Sequence, residues 1–175
     1  MHRLSVDEFK AASKLPLVVV LDNVRSLHNV GSVLRSCDAF RVEAVYLCGI
    51  TATPPSAEIH KTALGAEDSV TWKYFAQTTD AINELHAKGT KVFAVEQVAG
   101  STMLQNLDTE VGTRYAVVLG NEVKGVQQTV VDLCDGCLEI PQFGTKHSLN
   151  VSVAAGIVVW EFAKKIGKGE EAKRR

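Results

Sequence analysis

The chain has 175 residues, of which 19 are Lys or Arg and 20 are Asp or Glu, and 46% are apolar. Such a length is typical of one domain, and a net charge of −1 excludes a disordered polyelectrolyte and a generically basic nucleic-acid coat protein. No apolar run approaches the roughly 18 residues needed to span a bilayer, and the first residues lack the apolar core of a signal peptide, so the sequence predicts a cytoplasmic protein without a membrane segment.

Apolar runs alternate with amphipathic stretches along the chain, which is typical of a parallel sheet covered by helices. Six strands are predicted, at residues 17–21, 44–48, 70–74, 91–95, 115–119 and 137–140. Helices are predicted to begin at Ser5 and to cover residues 29–40, 54–65, 79–88, 126–133 and 149–166. The last of these is apolar almost all round, with Val153, Ile157 and Trp160 outside its main apolar face, and is predicted to be largely buried.

The predicted architecture is therefore α/β, with a sheet of about six parallel strands flanked by helices. We expect one domain over residues 1–175, in which residues 1–16 form a helical extension and residues 164–175 a charged tail.

The pair Cys134 and Cys137 has C-x-x-C spacing. The sequence contains no second C-x-x-C and no H-x-x-x-H, which disfavours a structural zinc site, and no metal is expected. The pair also follows a predicted helix instead of starting one, unlike a thioredoxin-type redox pair. Ordinary half-buried cysteines are the preferred interpretation.

Ligands of parallel α/β sheets bind at the carboxyl ends of the strands, so a functional site is expected in the loops there. They contain no G-x-G-x-x-G and no G-x-S-x-G. The segment 120–125 has the outer glycine spacing of a P-loop, but no Lys-Ser/Thr follows it. Dinucleotide binding, Walker-type NTP hydrolysis and serine hydrolase chemistry are all disfavoured.

Three of these loops carry polar residues: 29-NVGSVLR-35, 119-LGNE-122 and 140-IPQFGTKHSLN-150. Taken singly, each has a plain structural explanation. Asn29 is expected to be a helix N-cap with a solvated or salt-bridged Arg35, Gly120 a tight turn beside an exposed acid, and Ser148 and Asn150 caps of the last helix.

Taken together and in this order, the motifs N-x-G-x-x-x-R, L-G-N-E-x-x-G-V and I-P-x-x-G-x-x-x-S-L-N-V-S-V-A resemble the SpoU (TrmH) family of RNA ribose methyltransferases, within the SPOUT class. The resemblance extends over residues 17–165 and includes a K-x-x-x-G-A segment at 61–66. It implies a deep trefoil knot in the C-terminal part of the α/β fold. It also implies S-adenosylmethionine as cofactor, and a homodimer whose RNA site is built from both subunits.

The same resemblance implies roles for individual residues. The implied catalytic residues are Arg35, Asn29, Glu122, Ser148 and Asn150. The implied cofactor-binding residues are Val95, Leu119, Gly120, Asn121, Gly125, Ile140, Pro141, Ser148 and Leu149. Cations close to the motifs are expected to bind RNA, namely Arg25, Arg35, Lys124 and Lys146.

Arg35 is often regarded as the base in this family, but a guanidinium with a pKa above about 12 is a poor base. We expect it to hold a phosphate and to stabilise the developing alkoxide. Asn29 is expected to orient Arg35 or the ribose, and Glu122 to neutralise or position the arginine. Ser148 and Asn150 are expected to hold the loop or the target nucleotide.

Transfer RNA is the expected target, because the sequence lacks the additional N-terminal RNA-binding domain of many ribosomal RNA members. Ribosomal 23S RNA is the alternative. The intact polar residues disfavour a non-catalytic RNA-binding module of the same fold. The third motif disfavours a base-modifying enzyme of the SPOUT class.

Overall fold

The computed structural model describes residues 2–173, with side chains over residues 2–167. Its strands are β1 (Leu15–Asp22), β2 (Val42–Cys48), β3 (Trp72–Phe75), β4 (Lys91–Val95), β5 (Thr102–Met103), β6 (Tyr115–Leu119) and β7 (Gly136–Glu139). Its α-helices are α1 (Val6–Ala11), α2 (Leu27–Ala39), α3 (Ala57–Ala63), α4 (Ala66–Ser69), α5 (Thr78–Ala87), α6 (Gln128–Leu133) and α7 (Val151–Lys173). No helix in the described range is long and apolar enough to cross a membrane.

The strands form one sheet in the order β3-β2-β1-β6-β4-β7-β5, and every pairing is parallel. This confirms the predicted parallel α/β architecture, with seven strands instead of about six. The seventh, β5, has only two residues, which pair with Leu138 and Glu139 of β7. A strand of two residues is too short to show a periodic pattern in the sequence.

The sheet is covered by helices on both faces, because its central strands present apolar side chains alternately to each side. In β1, Leu17, Val19 and Leu21 belong to the apolar cluster that contains residues of α2 and α7. Val18 and Val20 belong to the other cluster, with residues of α5 and α6. Since both faces are covered, ligands reach the sheet at its strand ends.

The start of α2 corrects one prediction. Ser26 is the N-cap, and its side chain accepts a hydrogen bond from the backbone N–H of Asn29 at 3.2 Å. The expectation that Asn29 is the N-cap was therefore wrong. Because Ser26 caps the helix, the side chain of Asn29 is available for contacts outside it.

The segment predicted as one helix over residues 54–65 forms α3, capped by Ser56, followed by the short α4. The break falls where Leu64 and Gly65 adopt left-handed backbone conformations.

Helix α7 also differs from its prediction. Its inner side is buried through Val158 and Phe162, but Val153 and Trp160 are 51% and 52% exposed. The expectation that the helix is largely buried was therefore wrong for this chain taken alone. The helix continues past residue 166 to Lys173, and the side chains of residues 168–175, most of the predicted charged tail, lie outside the described residues.

The four cysteines are free thiols. Cys134 is the C-cap of α6, and Cys137 lies in β7, which confirms that the pair follows a helix instead of starting one. Burial raises the pKa of Cys134 to about 12, and burial also raises the pKa of Cys137. Both are therefore protonated at neutral pH, the less reactive form of a thiol. Among residues 2–167, no group of three or more His, Cys, Asp or Glu side chains is arranged to hold a metal ion.

Candidate active site

Four neighbouring strands, in the order β1-β6-β4-β7, end at the same edge of the sheet. The loops that follow them meet there because all four strands are parallel. Between the loops after β6, β4 and β7 lies a cavity of about 420 Å³. Its size falls within the range of about 300–1,000 Å³ that is common for small-molecule sites.

Most residues predicted to bind the cofactor line this cavity. They are Val95, Leu119, Gly120, Asn121, Gly125, Ile140, Ser148 and Leu149. Pro141, which the sequence also predicted, is not among the lining residues, although its neighbours Ile140 and Gln142 are. Further apolar surface comes from Leu138, Val151 and Ala154.

The loop after β6 is closed on itself by its own polar groups. The backbones of Asn121 and Gly125 exchange two hydrogen bonds, of 3.0 and 2.9 Å. The side-chain oxygen of Asn121 accepts from the N–H groups of Val123 and Lys124, and its Nδ2 donates to the carbonyl of Asn23. The side-chain amide of Asn121 is therefore engaged within the protein and holds the loop closed.

Gly120 is required by this closure. A Cβ at position 120 would lie 2.2 Å from both the carbonyl carbon of Gly125 and the nitrogen of Val126. No side chain fits at that distance, so the absence of one allows the loop to fold back against the end of β6.

A hydrogen-bonded relay of Glu122, Asn29 and Asn150 connects the three sequence motifs. Glu122 accepts hydrogen bonds from the backbone N–H groups of Arg25 and Ser26, both at 3.0 Å, and from Asn29 Nδ2 at 3.2 Å. Asn29 Oδ1 in turn accepts from Asn150 Nδ2 at 3.2 Å. Residues up to 121 positions apart in the chain thus form one polar cluster beside the cavity.

Each end of this relay is anchored. Asn150 Oδ1 accepts from the N–H groups of Ser152 and Val153 at the start of α7, as expected of a helix cap. At the other end, burial by itself would raise the pKa of Glu122, but hydrogen bonds from the backbones of Arg25 and Ser26 outweigh it, and the net pKa is lowered. Glu122 is therefore ionised at neutral pH and fixes the orientation of Asn29.

Of the predicted basic residues, Arg25 contacts this cluster through its backbone N–H, and Lys124 lines the cavity. Arg25, Arg35, Lys124 and Lys146 are all exposed, and none of their side chains forms a salt bridge or hydrogen bond within residues 2–167. The contacts of Glu122 thus differ from the expectation that it neutralises or positions Arg35: in the structure it holds Asn29 and the loop after β1. The side chain of Ser148 is likewise exposed and forms no hydrogen bond within that range.

The structure adds lining residues that the sequence motifs do not mark, and Glu96 is one of them. Glu96, directly after β4, lines the cavity, and its Oε1 accepts a hydrogen bond from the backbone N–H of Val126 at 2.7 Å. The only signal for it in the sequence is its position after a strand.

Comparisons with known proteins agree with this geometry. The SpoU rRNA Methylase family matches residues 16–160. The 23S rRNA (guanosine-2'-O-)-methyltransferase RlmB of Nitrosomonas europaea is 36% identical over 156 residues, which cover 89% of this chain and 58% of that protein. The chain thus spans about three-fifths of the length of that relative.

Two solved structures share the fold. The structure of the A. aeolicus TrmH/SpoU tRNA modifying enzyme superposes with a TM-score of 0.82 at 24% identity, covering 94% of this chain and 84% of that one. The AdoMet-bound rRNA methyltransferase from Sinorhizobium meliloti gives a TM-score of 0.79 at 29% identity, with 87% and 60% coverage.

The family match covers most of the chain, and it includes the strands and loops that build the cavity and the relay. The chain belongs to the SpoU rRNA Methylase family.

Proposed function

We propose that this protein transfers the methyl group of S-adenosylmethionine to a ribose 2′-hydroxyl of ribosomal RNA. The observation that carries the proposal is the placement of the Glu122-Asn29-Asn150 relay beside the cavity, with the exposed cations Arg25 and Lys124 on the adjoining loops. The cavity is suited to a small cofactor, and the relay with the exposed cations is suited to a polyanionic substrate.

The cavity fits S-adenosylmethionine in size and chemistry. Its wall combines apolar side chains, such as Leu119 and Leu149, with the backbone of the closed loop 120–125. The carboxylates of Glu96 and Glu139 also line it, which favours a ligand with a positive charge. When bound, S-adenosylmethionine supplies a methyl group on a sulfonium ion.

The residues around the relay are suited to activating a ribose hydroxyl, which is a poor nucleophile while protonated. The guanidinium of Arg35 would hold an RNA phosphate and stabilise negative charge as it develops on the 2′-oxygen. Asn29, fixed between Glu122 and Asn150, would orient the ribose or the guanidinium. Holding both reactants in line supplies much of the rate enhancement in such a transfer.

Ribosomal RNA is the proposed substrate class. The sequence by itself favoured transfer RNA, but the 36% identical relative from Nitrosomonas europaea, named a 23S rRNA (guanosine-2'-O-)-methyltransferase, favours the alternative. Transfer to a guanosine ribose is therefore the first possibility to test.

Family membership also supports three further parts of the proposal: a trefoil knot in the C-terminal segment, one catalytic domain over residues 1–175, and a homodimer acting in the cytoplasm. The exposed apolar row Val153, Ile157 and Trp160 on α7 is the candidate dimer surface. Trp160 packs against Phe40 of the same chain, with ring centroids 5.6 Å apart, and this pair would form the centre of that surface.

The substrate class is tested with total ribosomal RNA and total transfer RNA from a strain lacking the gene, each incubated with the protein and tritiated-methyl S-adenosylmethionine. We expect label in 23S ribosomal RNA and background counts in transfer RNA. Label confined to transfer RNA would overturn the substrate class, and no label in either would overturn the proposed activity.

A further inference from the structure

We propose that Glu96 binds the ribose hydroxyls of the S-adenosylmethionine cofactor and so sets its affinity. This inference rests on the proposed function, since it assigns a ligand group to a residue of the same cavity. It concerns a residue outside all three motifs.

The carboxylate of Glu96 is held in place on one side and open on the other. Its Oε1 accepts a hydrogen bond from Val126 N–H at 2.7 Å. Its Oε2 accepts none from the described part of the chain, and it is not a buried atom lacking a partner. A fixed carboxylate with an open oxygen at a cavity wall is an acceptor that awaits a donor from a ligand.

The loop after β6 is shaped around this carboxylate. Gly125 has a φ of +70°, and a Cβ built on it would lie 2.3 Å from Glu96 Oε1. The last glycine of the G-N-E-V-K-G segment therefore serves two needs, because it turns the chain and leaves room for Glu96. The loops after β4 and β6 are joined at this point.

The order of the strands indicates which part of the cofactor lies over Glu96. In the strand order β1-β6-β4-β7, the relay lies on the β1 side of β6. Glu96 lies on the opposite side, at the end of β4, and β7 is the next strand beyond β4. Neighbouring strands are about 4.8 Å apart. With the methyl group facing the relay, the next group along the cofactor is the ribose, and the adenine lies beyond it, towards Leu138 and Ile140.

The chemistry of the ribose matches this position. Its two neighbouring hydroxyls are hydrogen-bond donors, and an ionised carboxylate only accepts hydrogen bonds. Hydrogen bonds to a charged acceptor are about twice as strong as neutral ones. The loss of such an interaction is expected to weaken binding about tenfold.

The test is calorimetric titration of the protein with S-adenosylmethionine, with S-adenosylhomocysteine, and with the 2′,3′-dideoxyribose form of the latter. Glu96→Gln keeps an oxygen for Val126 N–H but removes the carboxylate. We expect Glu96→Gln to weaken both natural ligands about tenfold, because they share the ribose. The dideoxy ligand is expected to bind the wild type about tenfold more weakly, and to bind the variant as well as S-adenosylhomocysteine does.

Asp132→Asn is the matched control, since it removes the same charge from an exposed position on α6, outside the cavity. It should leave all three affinities within twofold of the wild type. A wild type that binds the dideoxy ligand as tightly as S-adenosylhomocysteine overturns the inference without any variant. So does a Glu96→Gln loss confined to the sulfonium ligand, which would indicate a role through charge alone. If the wild type binds neither natural ligand, the proposed function itself fails.

Discussion

Substitution of Gly120 by Ala is expected to open the cofactor loop, and the size of the effect follows from the geometry. The new Cβ would lie 2.2 Å from the backbone of Gly125 and Val126, so that segment must retreat by at least about 1.2 Å to reach ordinary contact. Overpacking of this kind costs roughly 1–3 kcal/mol. The two backbone hydrogen bonds between Asn121 and Gly125 would be strained as well, each contributing about 1 kcal/mol.

We therefore expect Gly120→Ala to lower the free energy of unfolding by about 3 kcal/mol and to weaken S-adenosylmethionine binding at least tenfold. Urea unfolding and calorimetric titration measure the two effects. Gly144→Ala is the matched control, because a Cβ there meets nothing within 4 Å, and its effect should stay below about 0.5 kcal/mol. A Gly120→Ala protein with wild-type stability and affinity would refute the role assigned to this close approach.

Three further predictions concern the relay and the surface. Glu122→Gln removes the carboxylate that holds Asn29 and is expected to reduce single-turnover methyl transfer at least tenfold; transfer within twofold of wild type would contradict a positioning role. The folded-state pKa of Glu122 is lowered, so its carboxylate stabilises the folded protein above the ordinary pKa of 4.5, and this stabilisation is lost as pH falls below that value. The difference in free energy of unfolding between wild type and Glu122→Gln, measured by urea unfolding, should therefore shrink from pH 7 to pH 3.5. Trp160→Lys places a charge on the exposed apolar face of α7 and is expected to convert the proposed dimer to a monomer in light scattering, whereas a variant that remains dimeric would exclude that face as the interface.

The sequence predicted the architecture well because the central strands are long apolar runs, and a parallel sheet buried on both faces requires such runs. What it could not predict depends on contacts between distant residues. Ser26 and Asn29 are both ordinary N-cap residues, so the sequence alone does not decide which of them caps α2. In the structure Ser26 is the cap, and the side chain of Asn29 instead contacts Glu122, 93 positions away.

The candidate site was likewise predicted in part from the sequence. The resemblance led to eight cofactor-binding residues that line the cavity, seven of them in the motifs, and to the three members of the relay. Glu96 escaped notice because a single acid after a strand has no distinguishing pattern. The exposure of Trp160 escaped notice because apolar periodicity does not tell whether a side chain packs against its own chain or against a partner.

The most direct test of the proposed chemistry is the position of the transferred methyl group, compared between the wild type and Arg35→Ala. Ribosomal RNA is incubated with S-adenosylmethionine that carries a deuterated methyl group, digested to nucleosides and analysed by mass spectrometry. We predict that the wild type places the label on the ribose fragment, and that Arg35→Ala binds the cofactor within twofold of wild type but transfers no label. Label on a base fragment, or full transfer by Arg35→Ala, would contradict the assignment of ribose methylation to this site.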